Sequence, residues 1–180
     1  MAVHHIALAT RDTKATHEFY TEAMGFRLAK VVAGPTESGW SKHLFYDTGD
    51  GGFIAFWELH DTSVSDFKTD LSTGLGLPVW VNHLAFSAAN LESLSAAKQR
   101  WLDYGVAVNE VDHDWCRSIY TMDPNGIMVE WCAMVRALGA EDEKEADELL
   151  HNADPPLDPP LVSTLTRPTS PRARNLAGVQ

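Results

Sequence analysis

Two cysteines in 180 residues, Cys116 and Cys132, are too few for a disulfide framework, and their spacing fits no zinc motif. Basic residues are also scarce: 14 Lys and Arg stand against 25 Asp and Glu, a formal net charge of -11. That balance excludes nucleic acid and an anionic membrane surface as expected partners. No run approaches the roughly 20 apolar residues of a membrane helix, and no leader-like basic and apolar pair of segments opens the chain. Cytoplasmic localisation is therefore the expectation. What the chain does have is a hydrophobic fraction of 44% with six Trp, enough to fill one domain or two small modules sharing a core.

That apolar material is arranged as a repeat. Val-His-His-Ile-Ala-Leu, with His5, returns as Val-Asn-His-Leu-Ala-Phe, with His83. After the first copy, Asp12 or Thr13 can cap a helix whose apolar residues Ala15, Phe19, Ala23 and Met24 recur at helical spacing up to Gly25. Strand-like runs follow at about 26–32, 42–47 and 52–59, split by Gly-rich turns. In the second copy Asn90 caps a stripe of Leu91, Leu94, Ala97, Trp101 and Leu102 that ends at Gly105. Strands are expected near 106–111, 115–122 and 126–133, with Asp123-Pro124-Asn125-Gly126 as the turn before the last.

The fold class is thus α+β: two tandem βαβββ modules, expected to pair their incomplete sheets into one pseudo-symmetric body. Module one spans 1–60, a linker 61–79 and module two 80–138. Residues 139–180 add an acidic helix and a Pro-rich tail, expected as an extended arm or a partly disordered end.

Each repeat opens with a His and closes an apolar strand with a carboxylate, Glu58 in the first and Glu130 in the second. A single strand His is usually a hydrogen-bonded structural residue, and a strand-end Glu is usually solvated. Four placed in register by a duplication point instead to one site. A carboxylate in line with Ile54 and Phe56 is costly unless something compensates it, and a divalent cation is a good candidate. Imidazole and carboxylate suit Zn, Ni, Mn, Fe or Co. The expected metal ligands are His5, Glu58, His83 and Glu130.

The chain resembles the vicinal oxygen chelate superfamily, which includes glyoxalase I, extradiol ring-cleaving dioxygenases and bleomycin-resistance proteins. The resemblance is carried by His5-Ile-Ala-Leu, Asp12, Glu18-Phe19-Tyr20 and Met24-Gly25-Phe26. In the second module it rests on His83-Leu-Ala-Phe, Ile119-Tyr120, Asp123-Pro124-Asn125-Gly126 and Glu130, and it covers residues 3–135. It implies a curved mixed sheet around a metal-binding cavity, a small-molecule substrate with vicinal oxygens and a homodimer.

In a glyoxalase-I-like lyase or isomerase all four ligands hold the metal, which stabilises an enediolate while a ligand Glu moves the proton. This is the preferred reading. The alternative is an Fe(II)-dependent extradiol dioxygenase of catechol-type substrates, which needs only His5, His83 and Glu130. The strand Gly52–Trp57 has no His where such dioxygenases carry one, which weighs against that alternative. Tyr120 resembles their active-site Tyr, and His113 lies near enough in sequence to act as an acid or base. The candidate catalytic residues are therefore Glu58, Glu130, Tyr120 and His113. A non-catalytic resistance protein that sequesters a drug is the second alternative, and retention of the ligand set argues against it.

Overall fold

The computed structural model describes residues 3–64 and 66–172. Strand β1, His5–Thr10, leads into helix α1, Thr13–Glu18, where Asp12 accepts a hydrogen bond from the Ala15 amide and caps the first turn. The helix then widens into a π-helical turn, Phe19–Ala23, which lets Phe19 and Tyr20 both enter the core. Gly25, at φ +76°, makes the exit. Strands β2 (Arg27–Thr36), β3 (Gly39–Asp47) and β4 (Phe53–Asp61) complete a sheet ordered β1-β4-β3-β2, with β1 parallel to β4 and the other pairs antiparallel.

The second module repeats the plan. Strand β5, His83–Ser87, precedes helix α2, Leu91–Tyr104, which Asn90 caps and Gly105 ends. Strands β6 (Val108–Asp112), β7 (Cys116–Met122) and β8 (Met128–Met134) follow. Here too the first strand runs parallel to the last.

The acidic helix forms as expected, as α3, Ala140–Leu150, and it is exposed except at the half-buried Asp142. The Pro-rich end, expected as an extended arm or a partly disordered end, adds one strand to the fold. Its residues Ser163–Thr166 form strand β9, antiparallel to β6, so the second sheet has five strands in the order β5-β8-β7-β6-β9. Backbone hydrogen bonding to a free sheet edge replaces the apolar burial that the segment lacks. Beyond it Arg172 lies over the Tyr104 ring at 4.1 Å and reaches toward Glu18 and Glu22. Residues 173–180 of the expected tail lie outside the described residues. Among the described residues no helix is long and apolar enough to cross a membrane.

One core serves both modules. Tyr20, Tyr46, Ile54 and Phe56 of the first join Leu94, Trp101, Ile119 and Val129 of the second in a single buried cluster. Phe26 meets the rings of Phe86 and Trp131 across the seam. Polar contacts fix the same seam: Tyr20 Oη donates to Asp123 at 3.1 Å, and Arg100 donates to the carbonyls of Ala23 and Met24. Because side chains alternate along a strand, each sheet has one face on this core and one turned away from it.

Candidate metal centre

The two sheets place their predicted ligands differently. In module two His83 pairs in register with Met128, and Ala85 with Glu130, so His83 and Glu130 lie on one face, two positions apart. Their side chains meet, with His83 Nε2 3.0 Å from Glu130 Oε2. Nδ1 of His83 lies 2.8 Å from the Trp80 carbonyl oxygen. A carbonyl only accepts, so Nδ1 carries a proton and Nε2 is the nitrogen that faces the carboxylate. A proton or a cation between the two atoms satisfies both. A separation of 3.0 Å also suits two ligands at about a right angle on one ion with bonds of about 2.1 Å. The pair therefore fits a divalent metal, and its donor set is that of such sites.

Tyr120 stands beside the pair. It is the register partner of Glu130 on β7, and its ring centroid is 6.1 Å from that of His83. His113 Nε2 lies 3.0 Å from the Tyr120 hydroxyl. His113 sits in the turn between β6 and β7, where Asp114 adopts a left-handed φ of 72° and the His113 amide donates to the Cys116 carbonyl. Burial pushes the Tyr120 phenol well up from its ordinary pKa, and the Glu130 charge adds to this. Tyr120 is thus held protonated next to the pair. Of the six residues singled out in the sequence, His83, Glu130, Tyr120 and His113 come together.

His5 and Glu58 do not join them, nor each other. His5 pairs in register with Phe53, whereas Glu58 pairs with Thr10 at the far end of β1. Five residues of strand separate the two positions, about 16 Å, and the parity is opposite. Glu58 shares its face with Phe56 and Ile54, which belong to the core; His5 shares the other with Ala55 and Trp57. Two side chains of this chain lie against Glu58, which was expected to face a metal ion. Lys42 Nζ lies 3.1 Å and His60 Nε2 2.6 Å from its carboxylate. Burial pushes Glu58 up, but hydrogen bonds from His60, Thr13 and Lys42 outweigh it and hold the carboxyl below its ordinary range.

The register shows what stands where Glu130 has its counterpart. Two positions beyond the partner of His83 is Glu130; two beyond the partner of His5 is Ala55. Phe45 correspondingly takes the place of Tyr120. Module one turns an aromatic surface away from the core: His5 packs edge-on to Phe45 at 5.7 Å, and His43 stacks on Trp57 at 3.8 Å. His43 was not singled out in the sequence, although its alternation with Phe45 and Ser41 on a strand places it on the His5 face. Among the described residues no three His, Cys, Asp or Glu side chains gather to hold an ion. Both cysteines are free, and burial, with Cys132 close by, pushes the Cys116 thiol up to about 12.

Comparison with known proteins agrees with this fold. Residues 2–131 match the model of the Glyoxalase/Bleomycin resistance protein/Dioxygenase superfamily. A solved glyoxylase/bleomycin resistance protein/dioxygenase domain from Frankia sp. EAN1pec is 21% identical, covers 74% of this chain and 98% of its own, and superposes with a TM-score of 0.57. A lactoylglutathione lyase from Agrobacterium tumefaciens is 21% identical over 73% of this chain and 92% of its own, with a TM-score of 0.50. The fosfomycin resistance protein FosX from Listeria monocytogenes is also 21% identical, over 79% of this chain and 97% of its own, with a TM-score of 0.51. Likeness at this level shows the fold alone. No curated protein matches the chain.

Proposed function

Because the chain belongs to the Glyoxalase/Bleomycin resistance protein/Dioxygenase superfamily, we propose that it is a metal-dependent enzyme with a two-His, one-carboxylate centre. Its ligands are His83 and Glu130 of one copy and His5 of a second copy in a homodimer. The observation that carries this reading is Ala55 in the register position that Glu130 holds in module two. One carboxylate is then present, and a four-ligand glyoxalase-type set lacks its fourth member. The homodimer is supported by β1 and β5, each the last strand of its sheet, with His5 and His83 both exposed on those edges.

Extradiol cleavage of a catechol-type diol is the chemistry that best uses these residues. His83 and Glu130, with His5 of the second copy, would hold Fe(II), which when bound would supply the Lewis-acid and oxygen chemistry of ring cleavage. Tyr120, protonated and adjacent to Glu130, donates a hydrogen bond to a diol oxygen and holds the ring in place. His113, 3.0 Å from the Tyr120 hydroxyl, accepts a proton through it and returns it to the product. Phe45, Phe53 and Trp57 share the His5 face of the first sheet and suit contact with a planar ring.

The test is anaerobic loading with Fe(II), followed by catechol in air. A yellow ring-fission product is expected, with Glu58→Gln retaining at least about half the rate, since that residue is held by Lys42 and His60. Isomerisation of a glutathione hemithioacetal that Glu58→Gln abolishes, without ring fission, would overturn the reading.

A further inference from the structure

The segment between the modules reads in the sequence as a spacer, but its hydrogen bonds do more than join them. Ser72 is buried, at 3% exposure, and it grips Asn82 on both sides of the peptide chain. Its Oγ accepts from the Asn82 amide at 2.6 Å and donates to the Asn82 carbonyl at 3.4 Å. The Asn82 side chain in turn donates to the Leu71 carbonyl at 2.8 Å. Asn82 directly precedes His83, and the turn it closes, with Val81 N donating to Pro78 O, contains the Trp80 carbonyl that receives His83 Nδ1–H.

The same segment reaches the second ligand strand. Thr69 Oγ1 donates to the Asn125 carbonyl at 2.8 Å, in the turn that starts β8 and so sets the level of Glu130. Asp70 packs on Gly126 of that turn; a Cβ at Gly126 would come within 3.1 Å of the Asp70 Cβ. Residues 69–72 are therefore tied at one end to the strand of Glu130 and at the other to the residue before His83.

We infer that Ser72 is a positioning residue for the metal centre: by clamping Asn82 it holds the Trp80 carbonyl under His83 and fixes which ring nitrogen faces Glu130. The inference rests on the metal-centre reading above only for its consequence in binding; the Nδ1 hydrogen bond is a property of the metal-free chain. An imidazole is fixed for metal binding when its other nitrogen donates to a held acceptor, and loss of such a partner typically costs about 10- to 100-fold in affinity. Ser72 acts one step further out, so about 3- to 10-fold is expected here.

Two measurements on the full chain decide it. Nitrogen-15 spectra of the metal-free protein should show His83 Nδ1 carrying a proton hydrogen-bonded to the Trp80 carbonyl, with Ser72→Ala weakening that bond. Titration with Fe(II) or Zn should show the weaker affinity, with Ser72→Cys, which keeps the volume but offers a weak acceptor, falling between. Ser63→Ala, in the same connector but outside the brace, should leave both readouts unchanged. An unaltered His83 Nδ1 hydrogen bond and affinity in folded Ser72→Ala and Ser72→Cys would overturn the inference. A wild-type chain that shows the hydrogen bond but binds no metal would instead overturn the metal-centre reading and leave the brace standing.

Discussion

Module one and module two share a plan and differ in what they turn away from the core. Both open with a strand His and run that strand parallel to the last of the module. Module two places Glu130, Tyr120 and His113 around its His, whereas module one offers Ala55, Phe45 and the stacked pair of His43 and Trp57. A duplicated scaffold thus keeps its backbone register while dividing the chemistry. One half carries charge and protons, and the other carries one imidazole and an aromatic surface. Twin motifs need not be twin sites, because a one-residue change of parity moves a side chain from the open face to the core face.

The seam between the modules gives the largest expected effect on stability. Asp123, buried there, accepts from Tyr20, from Asn125 and from the Ile127 amide. Burial nevertheless pushes its pKa up to about 6. Its folded value lies above the unfolded one, near 4. Its contribution to stability is therefore complete below about pH 4 and is lost as pH rises through about 6. Urea unfolding should show wild type losing on the order of 2 kcal/mol between pH 4 and pH 7 relative to Asp123→Asn, which has no such group to titrate. Parallel curves for the two proteins would mean that the seam does not tie the modules through this carboxyl.

A smaller effect is expected at the end of the chain. Arg172 stacks on Tyr104 of module two and reaches Glu18 and Glu22 of module one. Its guanidinium is partly exposed, so Arg172→Ala should cost about 0.5–1 kcal/mol in thermal unfolding and less at high salt. A loss well above that would make the tail a main support of the seam rather than an accessory.

Most of the fold was legible because its signals are local. Asn90 and Gly105 bound α2, Asp12 caps α1, and Asp123-Pro124-Asn125-Gly126 turns into β8, each through chemistry contained in a few residues. β9 was not legible, since a four-residue strand on a free edge leaves no periodicity to read. In the site, the His83 and Glu130 pair was legible and its partner pair was not. Matching the ends of two apolar runs aligned Glu58 with Glu130, but β4 extends to Asp61 and its pairing with β1 puts Ala55 at the equivalent level. The compensating charges of Glu58, Lys42 and His60, lie on the same face of neighbouring positions; nothing in a single sequence says which strands will pair and bring Lys42 there. Ser72 was invisible for the same reason, its role depending on a contact ten residues away.

The central claim is that Glu130, and not Glu58, is the carboxylate of the metal centre. Metal titration of the full chain and of its Glu130→Ala and Glu58→Ala variants tests it most directly. The account predicts a loss of more than about 100-fold in affinity for Glu130→Ala and a change of less than about twofold for Glu58→Ala. Equal losses in the two variants would contradict it and restore a four-ligand site.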